Sequence, residues 1–404
     1  MWQLRQMMQA SYLQDFERGT MDTDLKDWTN MKIALLGYGT VGRGVDKIIG
    51  ERVDDVEVSR ILELPDRLSD PRMTSEYEDI VSDPEIGIVV ECMGGIEPAH
   101  AFIMRALEAG KHVVTSNKAV VAAYFAEFAA CALEHGVSLF IEASVGGGIP
   151  WIAGIEKARR VDEVTSFSGI MNGTTNYIVY AMLKDGADFG EVLAEAQSLG
   201  YAERDPSADI DGIDVKNKTV ITASVAFDVA CEKDIPVSGI RNLTKADLDL
   251  FGERGLTVKL LGRGVQQDGR YAVAVEPVAV PLESLEANVP GNFNLVTLDA
   301  TTVGELKFYG QGAGSLPTGN AIVQDVLDCV RGTRAPEYDF SRGLAYDPEL
   351  LRASYVIRAS QAPAGSEPYA EGAWLVRDVT AASARALLDE ALKTDPAAFM
   401  AALA

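Results

Sequence analysis

Histidine is scarce in this chain of 404 residues. The three present, His100, His112 and His135, leave little material for a histidine-based metal site or a serine-type triad. The four cysteines, Cys92, Cys131, Cys231 and Cys329, are far apart and show no CxxC spacing. Neither a disulfide framework nor a zinc ribbon is therefore expected, and a reducing, cytoplasmic location fits. No run of about 18 apolar residues occurs, so no membrane span or membrane partner is expected. Positive charge is also in short supply, with 36 Lys and Arg against 60 Asp and Glu and a net charge of -24. That balance argues against nucleic acid and anionic lipid, which need clustered cations. Residues 1–30 contain Trp2, Arg5 and Asp15 but no continuous apolar stretch, so they do not read as a secretory signal. They read as an N-terminal extension, expected to be disordered, with Met21 and Met31 as alternative starts and no function assigned.

Present instead is ordinary globular material, 47% apolar and 24% charged, in a chain long enough for two domains and an appendage. From Met31 the pattern alternates strand and helix. Strands are predicted at 32–36, 56–62, 86–91, 112–115 and 138–141, and helices at 40–49, 97–109 and 119–134. Such alternation implies an α/β fold with a Rossmann-type doubly wound parallel sheet over residues 31–150. After Pro150 the rhythm changes to a second, α+β unit over 151–309, expected to bind substrate and to carry the dimer contact. It reads as strand-rich at 158–170, helical at 176–183, 189–199 and 215–229, and strand again near 257–264, 271–279 and 304–309. Asp188 and Glu191 have capping-box spacing at the second of these helices. Residues 310–334 read as a glycine turn and a helix returning to the first domain. Residues 335–404 read as a weaker C-terminal region with strands at 354–359 and 373–376 and a terminal helix.

Five segments carry chemistry. Gly37-Tyr38-Gly39-Thr40-Val41-Gly42 follows a strand and opens a helix, the context in which GxGxxG binds a dinucleotide pyrophosphate. Glu63, 21 residues after Gly42, stands where an acid would hold a free ribose 2′-hydroxyl, while Arg67 or Arg72 would suit a 2′-phosphate. The choice between NAD and NADP stays open on sequence. Thr115-Ser116-Asn117-Lys118 ends a strand, where doubly wound folds bind ligands; alone, such a lysine is as often a turn cap. Glu142-Ala143-Ser144-Val145-Gly146-Gly147-Gly148-Ile149-Pro150 exposes main-chain oxygens to a ligand or a hard cation, or is simply a hinge. Finally, Glu203, Asp205, Asp209, Asp211 and Asp214 place five carboxylates within twelve residues, with Lys218 four residues beyond Asp214. An EF-hand reading fails, because it puts Ser207 first and Lys218 twelfth where acids are needed. Asp214 and Lys218 instead share one helix face, as a surface ion pair or as a proton-handling pair.

Taken together these segments resemble homoserine dehydrogenase. The resemblance runs from about Met31 to Arg334 through GYGTVGRGV at 37–45, GGIEPA at 94–99, ALEAGKHVVTSNKAVVA at 106–122 and EASVGGGIP at 142–150. It continues through GIMNGTTNYI at 169–178, EAQSLGYAERDPSADIDGIDVKNK at 195–218 and YGQGAGSLPTGNAI at 309–322. It implies interconversion of L-homoserine and L-aspartate 4-semialdehyde with NAD or NADP, on the route to threonine, methionine and isoleucine, in a homodimer or homotetramer. By this resemblance Lys218 is the proton donor, with Lys118 a second catalytic candidate at the nicotinamide. Glu203 and Asp214, joined by Asp209, Gly200 and Tyr201, are the substrate-side residues. Gly94, Ser116, Gly312, Gly314 and Thr318 join the glycine loop around the cofactor, and Glu142, Val145, Gly147 and Ile149 match positions that bind sodium. Many members of the family also carry a C-terminal ligand-sensing ACT domain with a DxPG-type turn. Residues 335–404 lack that turn, so a degenerate remnant and little feedback inhibition by threonine are expected. Two other readings remain: an aspartate-semialdehyde-type dehydrogenase, which needs an activated cysteine, and a dinucleotide sensor without chemistry.

Overall fold

The computed structural model describes residues 30–334 and 336–404. The disorder expected of the N-terminal extension lies outside the described residues. Strands β1 (Met31–Leu36), β2 (Val56–Leu62), β3 (Met73–Thr74), β4 (Ile86–Glu91), β5 (His112–Thr115) and β6 (Leu139–Phe140) form a parallel sheet in the order β3-β2-β1-β4-β5-β6. Helices α1 (Thr40–Arg52), α2 (Ala99–Glu108) and α3 (Lys118–Glu134) link the strands. Both faces of the sheet are covered. Ile33 and Leu35 pack with Val45 and Ile49 of α1, while Ala34 and Leu36 pack in the core that holds Ile103 and Val121. Two-sided burial is why β4 reads as a continuous apolar run. Strand order reverses between β1 and β4, and this switch point opens the crevice where such sheets bind ligands.

The second unit begins with α4 (Trp151–Arg159), not with the strand expected over 158–170; the strand, β7, is Val164–Ile170. Trp151, Ile152 and Ile155 form a buried helical face. The Glu142 carboxylate accepts from the Ile152 and Ala153 amides at 2.9 and 2.7 Å, which satisfies free donors of the first turn. Next come α5 (Gly173–Asp185), α6 (Phe189–Ser198), α7 (Ile213–Phe227) and α8 (Lys245–Gly252). Asp188 occupies the N-cap of α6 but makes no side-chain cap bond, so the expected capping box is not formed there. A capping box does form at α8, between Thr244 and Asp247. Strands β8 (Leu256–Gln267), β9 (Arg270–Pro281), β10 (Phe293–Ala300) and β11 (Gly304–Gln311) follow.

Helix α9 (Ser315–Arg331) then returns to the parallel sheet, where Ile322, Val326 and Val330 join Val45 and Ile49. The two helices touch at their backbones: a Cβ on Gly44 would lie 2.4 Å from the Ser315 carbonyl oxygen. Only glycine allows that approach. The C-terminal strands are β12 (Ala345–Tyr346), β13 (Arg352–Arg358), β14 (Glu367–Ala370), β15 (Ala373–Thr380) and β16 (Phe399–Leu403), with α10 (Ala381–Leu392) before the last. They belong to the sheet of the second unit, which has ten strands ordered β11-β10-β7-β8-β9-β16-β13-β15-β14 with β12 beside β9.

Candidate active site

The glycine loop leaves β1 at its C-terminal end. Gly37 has φ +95°, and a Cβ on Gly42 would sit 2.2 Å from the Gly37 carbonyl oxygen, so helix and loop close tightly only without that atom. Gly39 and Thr40 are exposed, Tyr38 and Val41 half-buried. Gly39 caps α1 without a side-chain bond, leaving first-turn amides for an anion. Glu63 faces this loop, its carboxylate accepting from the Tyr38 and Leu64 amides at 3.1 and 2.9 Å. Arg72 is committed elsewhere, to Asp46 at 2.8 Å and Asp70 at 2.9 Å.

On the other side of the crevice, Gly94 and Gly95 follow β4 with positive φ. Ser116 and Lys118 follow β5, and the intervening Asn117 caps α3 and donates to the Gly95 carbonyl at 2.7 Å. Behind them lies Glu91, fully buried, which accepts from Thr115 at 2.6 Å and from the Met93 amide at 2.7 Å. Burial pushes its carboxyl above the usual range despite those bonds. The turn of Gly312 and Gly314 leads into the first turn of α9, which holds Thr318 and abuts the glycine loop, where the Ser315 hydroxyl donates to the Thr40 carbonyl at 2.6 Å.

Asp214 joins the two units. One of its oxygens lies 2.8 Å from Lys118 Nζ, and the other lies 2.8 Å from Lys218 Nζ. Lys218 also donates to the Met171 carbonyl at 2.7 Å. Asn172 donates to Asp214 at 2.9 Å and to Asp209 at 2.7 Å, with its own oxygen capping α5. Sequence reasoning missed Asn172, Asn117 and Glu91; the NGTT and TSNK motifs held the two asparagines, and Glu91 was hidden as a strand terminus. Asp214 stays ionised, since the two lysines outweigh its burial. The lysines differ. Charge attraction to Asp214 raises Lys118, whereas burial lowers Lys218 below an ordinary amine. Burial raises Asp209.

Glu203 is not drawn into this hydrogen-bonded cluster: it is exposed and acts on Lys118 through charge alone. Tyr201 is 40% exposed and packs edge-on to Tyr177, while Gly200 turns the chain after α6 with φ +75°. Asp211 pairs with Arg241 at 2.6 Å. Glu142, Val145, Gly147 and Ile149 are all buried around a 3-10 turn and the positive-φ residues Gly146 and Gly147. Burial pushes the Glu142 carboxyl up to about 7. Among the described residues no group of three or more acidic, histidine or cysteine side chains could hold a metal ion.

All four cysteines are free, and burial raises their thiols rather than activating them. The contact of Cys131 with His135 is 3.7 Å and sits at the end of α3 away from Lys118, about 20 Å along the helix. Cys92 follows β4 beside the glycine loop, but burial raises its thiol, so among the described residues a thioester mechanism has no activated nucleophile. No described helix is long and apolar enough to cross a membrane.

A glycine loop at the switch point and a lysine–aspartate–lysine bridge beside it define a nicotinamide-dependent oxidoreductase. The family model described as "Homoserine dehydrogenase, NAD binding domain" matches residues 37–142, and "Homoserine dehydrogenase" matches residues 150–327. The chain is 41% identical to a homoserine dehydrogenase of Synechocystis over 74% of its own length and 73% of that protein's. It is 36% identical to the Bacillus subtilis enzyme over 75% and 74%. The crystal structure of a Thiobacillus denitrificans homoserine dehydrogenase superimposes with TM-score 0.82 at 32% identity, covering 93% of this chain and 98% of that one. The chain belongs to the homoserine dehydrogenase family.

Proposed function

We propose that Lys218 exchanges the proton in the interconversion of L-homoserine and L-aspartate 4-semialdehyde, with Lys118 and Asp214 setting its charge. The bridge of both lysines to one buried carboxylate carries this reading. The dinucleotide, when bound, accepts or supplies the hydride at the substrate carbon. In oxidation, neutral Lys218 takes the hydroxyl proton as hydride leaves the carbinol carbon; in reduction, its ammonium returns that proton to the carbonyl oxygen. Of the two amines, burial makes Lys218 the readier to release a proton, and Lys118 remains the fixed cation. Asp209, held by Asn172, and exposed Glu203 offer acids to the substrate ammonium, beside Gly200 and Tyr201.

Glu63, after β2 and bonded to the glycine loop, supports a free 2′-hydroxyl, hence NAD before NADP, and Arg72 is already consumed by two aspartates. By the family resemblance, a monovalent cation such as sodium would be held by the main-chain oxygens of Glu142, Val145, Gly147 and Ile149, of which those of Glu142 and Ile149 also accept the Val145 and Trp151 amides. The Glu142 carboxylate is spent on α4, so neutral carbonyl donors are what remain. Held there, the ion would steady the loop between cofactor and substrate. The product feeds threonine, methionine and isoleucine synthesis, and a cytoplasmic location agrees with four free thiols. The expected assembly is a homodimer or homotetramer, readable by light scattering; Phe293 stacks at 5.2 Å on the half-exposed Tyr309 near the sheet edge.

The test is reduced-cofactor absorbance with homoserine, run with NAD and NADP. Lys218→Ala is expected to lose turnover by about 10²–10⁴-fold with cofactor affinity nearly intact. Normal turnover in that variant removes the assignment.

A further inference from the structure

Asn294 lies near the start of β10, wholly buried, and neither its amide nitrogen nor its amide oxygen has a hydrogen-bond partner among the described residues. A buried carboxamide left unpaired is costly, and native proteins keep such groups where something else uses them. Its neighbours identify the user. In the β10–β11 ladder Asn294 pairs with Gly310, on which a Cβ would lie 3.1 Å from Ile149. A Cβ on Gly312 would meet the Asn294 amide at 2.1 Å, so the carboxamide lies flat against that turn. Gly147 abuts the same turn, since its Cβ would fall 2.5 Å from the Gly312 carbonyl carbon. On the other side, Leu295 pairs with Ile170, which sets Asn294 beside Met171, the residue whose carbonyl holds Lys218. One unpaired amide thus touches the turn at Gly312 and flanks the glycine loop at 145–149 and the Met171 carbonyl that holds Lys218.

We propose that Asn294 is a positioning residue of the active site, whose carboxamide makes its hydrogen bonds to the Gly312–Gly314 turn and the Gly147 loop when a dinucleotide fills the crevice. It steadies the loaded arrangement at the expense of the empty one. Both neighbouring segments are rich in glycine, so their peptide groups are free to turn toward the amide. This deepens the reading of the site as one for nicotinamide chemistry and rests on it.

The experiment compares wild type with Asn294→Leu, nearly isosteric and apolar, and with Asn294→Ser, which keeps a donor and an acceptor. Melting is followed without ligand and with NADH or NADPH alone, and kcat and KM are then measured with homoserine. The expected Leu variant melts no lower than wild type when empty. Its gain on adding reduced cofactor is smaller by ~2 °C or more, and kcat falls about ten- to a hundredfold with a smaller change in KM. The Ser variant recovers part of both. An empty Leu enzyme destabilised as much as the loaded one would show an amide already satisfied by buried water, and would overturn the proposal. So would an undiminished cofactor gain with wild-type kcat. If the Leu variant fails to fold, the Ser variant carries the same comparison against wild type. Because the melting arm needs no homoserine, a wild type that ignores homoserine would sink the substrate assignment without touching this one.

Discussion

Asp214 favours the charged form of two amines at once, yet burial of Lys218 sends the pair in opposite directions. It holds Lys118 protonated and only partly offsets the burial of Lys218. The pH dependence follows from the sign. Oxidation of homoserine needs neutral Lys218, so its rate rises with pH and levels off below the 10.5 of an ordinary lysine. Reduction of the aldehyde needs the ammonium and declines over the same interval. Profiles of log kcat in both directions test this, and the Lys218→Arg enzyme, which cannot deprotonate in that range, should lose both limbs. At this scale the sequence exposed Asp214 and Lys218 because helical spacing alone brings them together. Lys118 was legible as a strand-end lysine, but its contact with Asp214 crosses between two folding units and no local pattern encodes it. Asn172, Glu91 and Asn294 were unreadable for the same reason: an isolated polar residue acquires meaning only from neighbours far along the chain.

Elements were read best where one period dominates. β1, β4 and β5 stand out because they are largely buried on both faces, and β2 because its buried residues alternate with exposed ones. Reading failed where local cues conflicted. α4 escapes the sequence reading, whose strand at 158–170 takes in only its last two residues; the helix has a short apolar face and its start is capped by a carboxylate ten residues earlier. β10 begins at Phe293, between Asn292 and Asn294, and β16 is a five-residue apolar run. The strand–turn–helix of the glycine loop gives a paired test. A Cβ on Gly39 meets nothing within 4 Å, whereas on Gly42 it strikes the Gly37 carbonyl oxygen at 2.2 Å. Gly39→Ala should therefore melt close to wild type, within about 0.5 kcal/mol, yet bind dinucleotide at least about tenfold more weakly. Gly42→Ala should lose both stability and binding. Thermal melts with a fluorescence titration of reduced cofactor distinguish the two.

Across the whole molecule, the C-terminal residues behave as part of the substrate sheet. β16 runs parallel to β9, pairing Ala402 with Val278 and Leu403 with Ala279. Arg358 of β13 reaches Asp247 at 2.6 Å, tying that region to the cap of α8. Feedback control requires a second ligand that binds two global states unequally. A region fused to the sheet by main-chain ladders offers little freedom for such states, and it lacks the DxPG-type turn. Millimolar threonine is accordingly expected to leave the homoserine rate within about twofold, a coupling too small for regulation. A steep dose response in the same assay would contradict this.

The seam between β9 and β16 also bears on engineering. Grafting a sensor from a longer relative by cutting after the return helix would strip a long central strand of its neighbour and leave its main-chain donors and acceptors bare to other molecules. Chimeras of this enzyme are better joined after β16, past Leu403, where no ladder has to be broken.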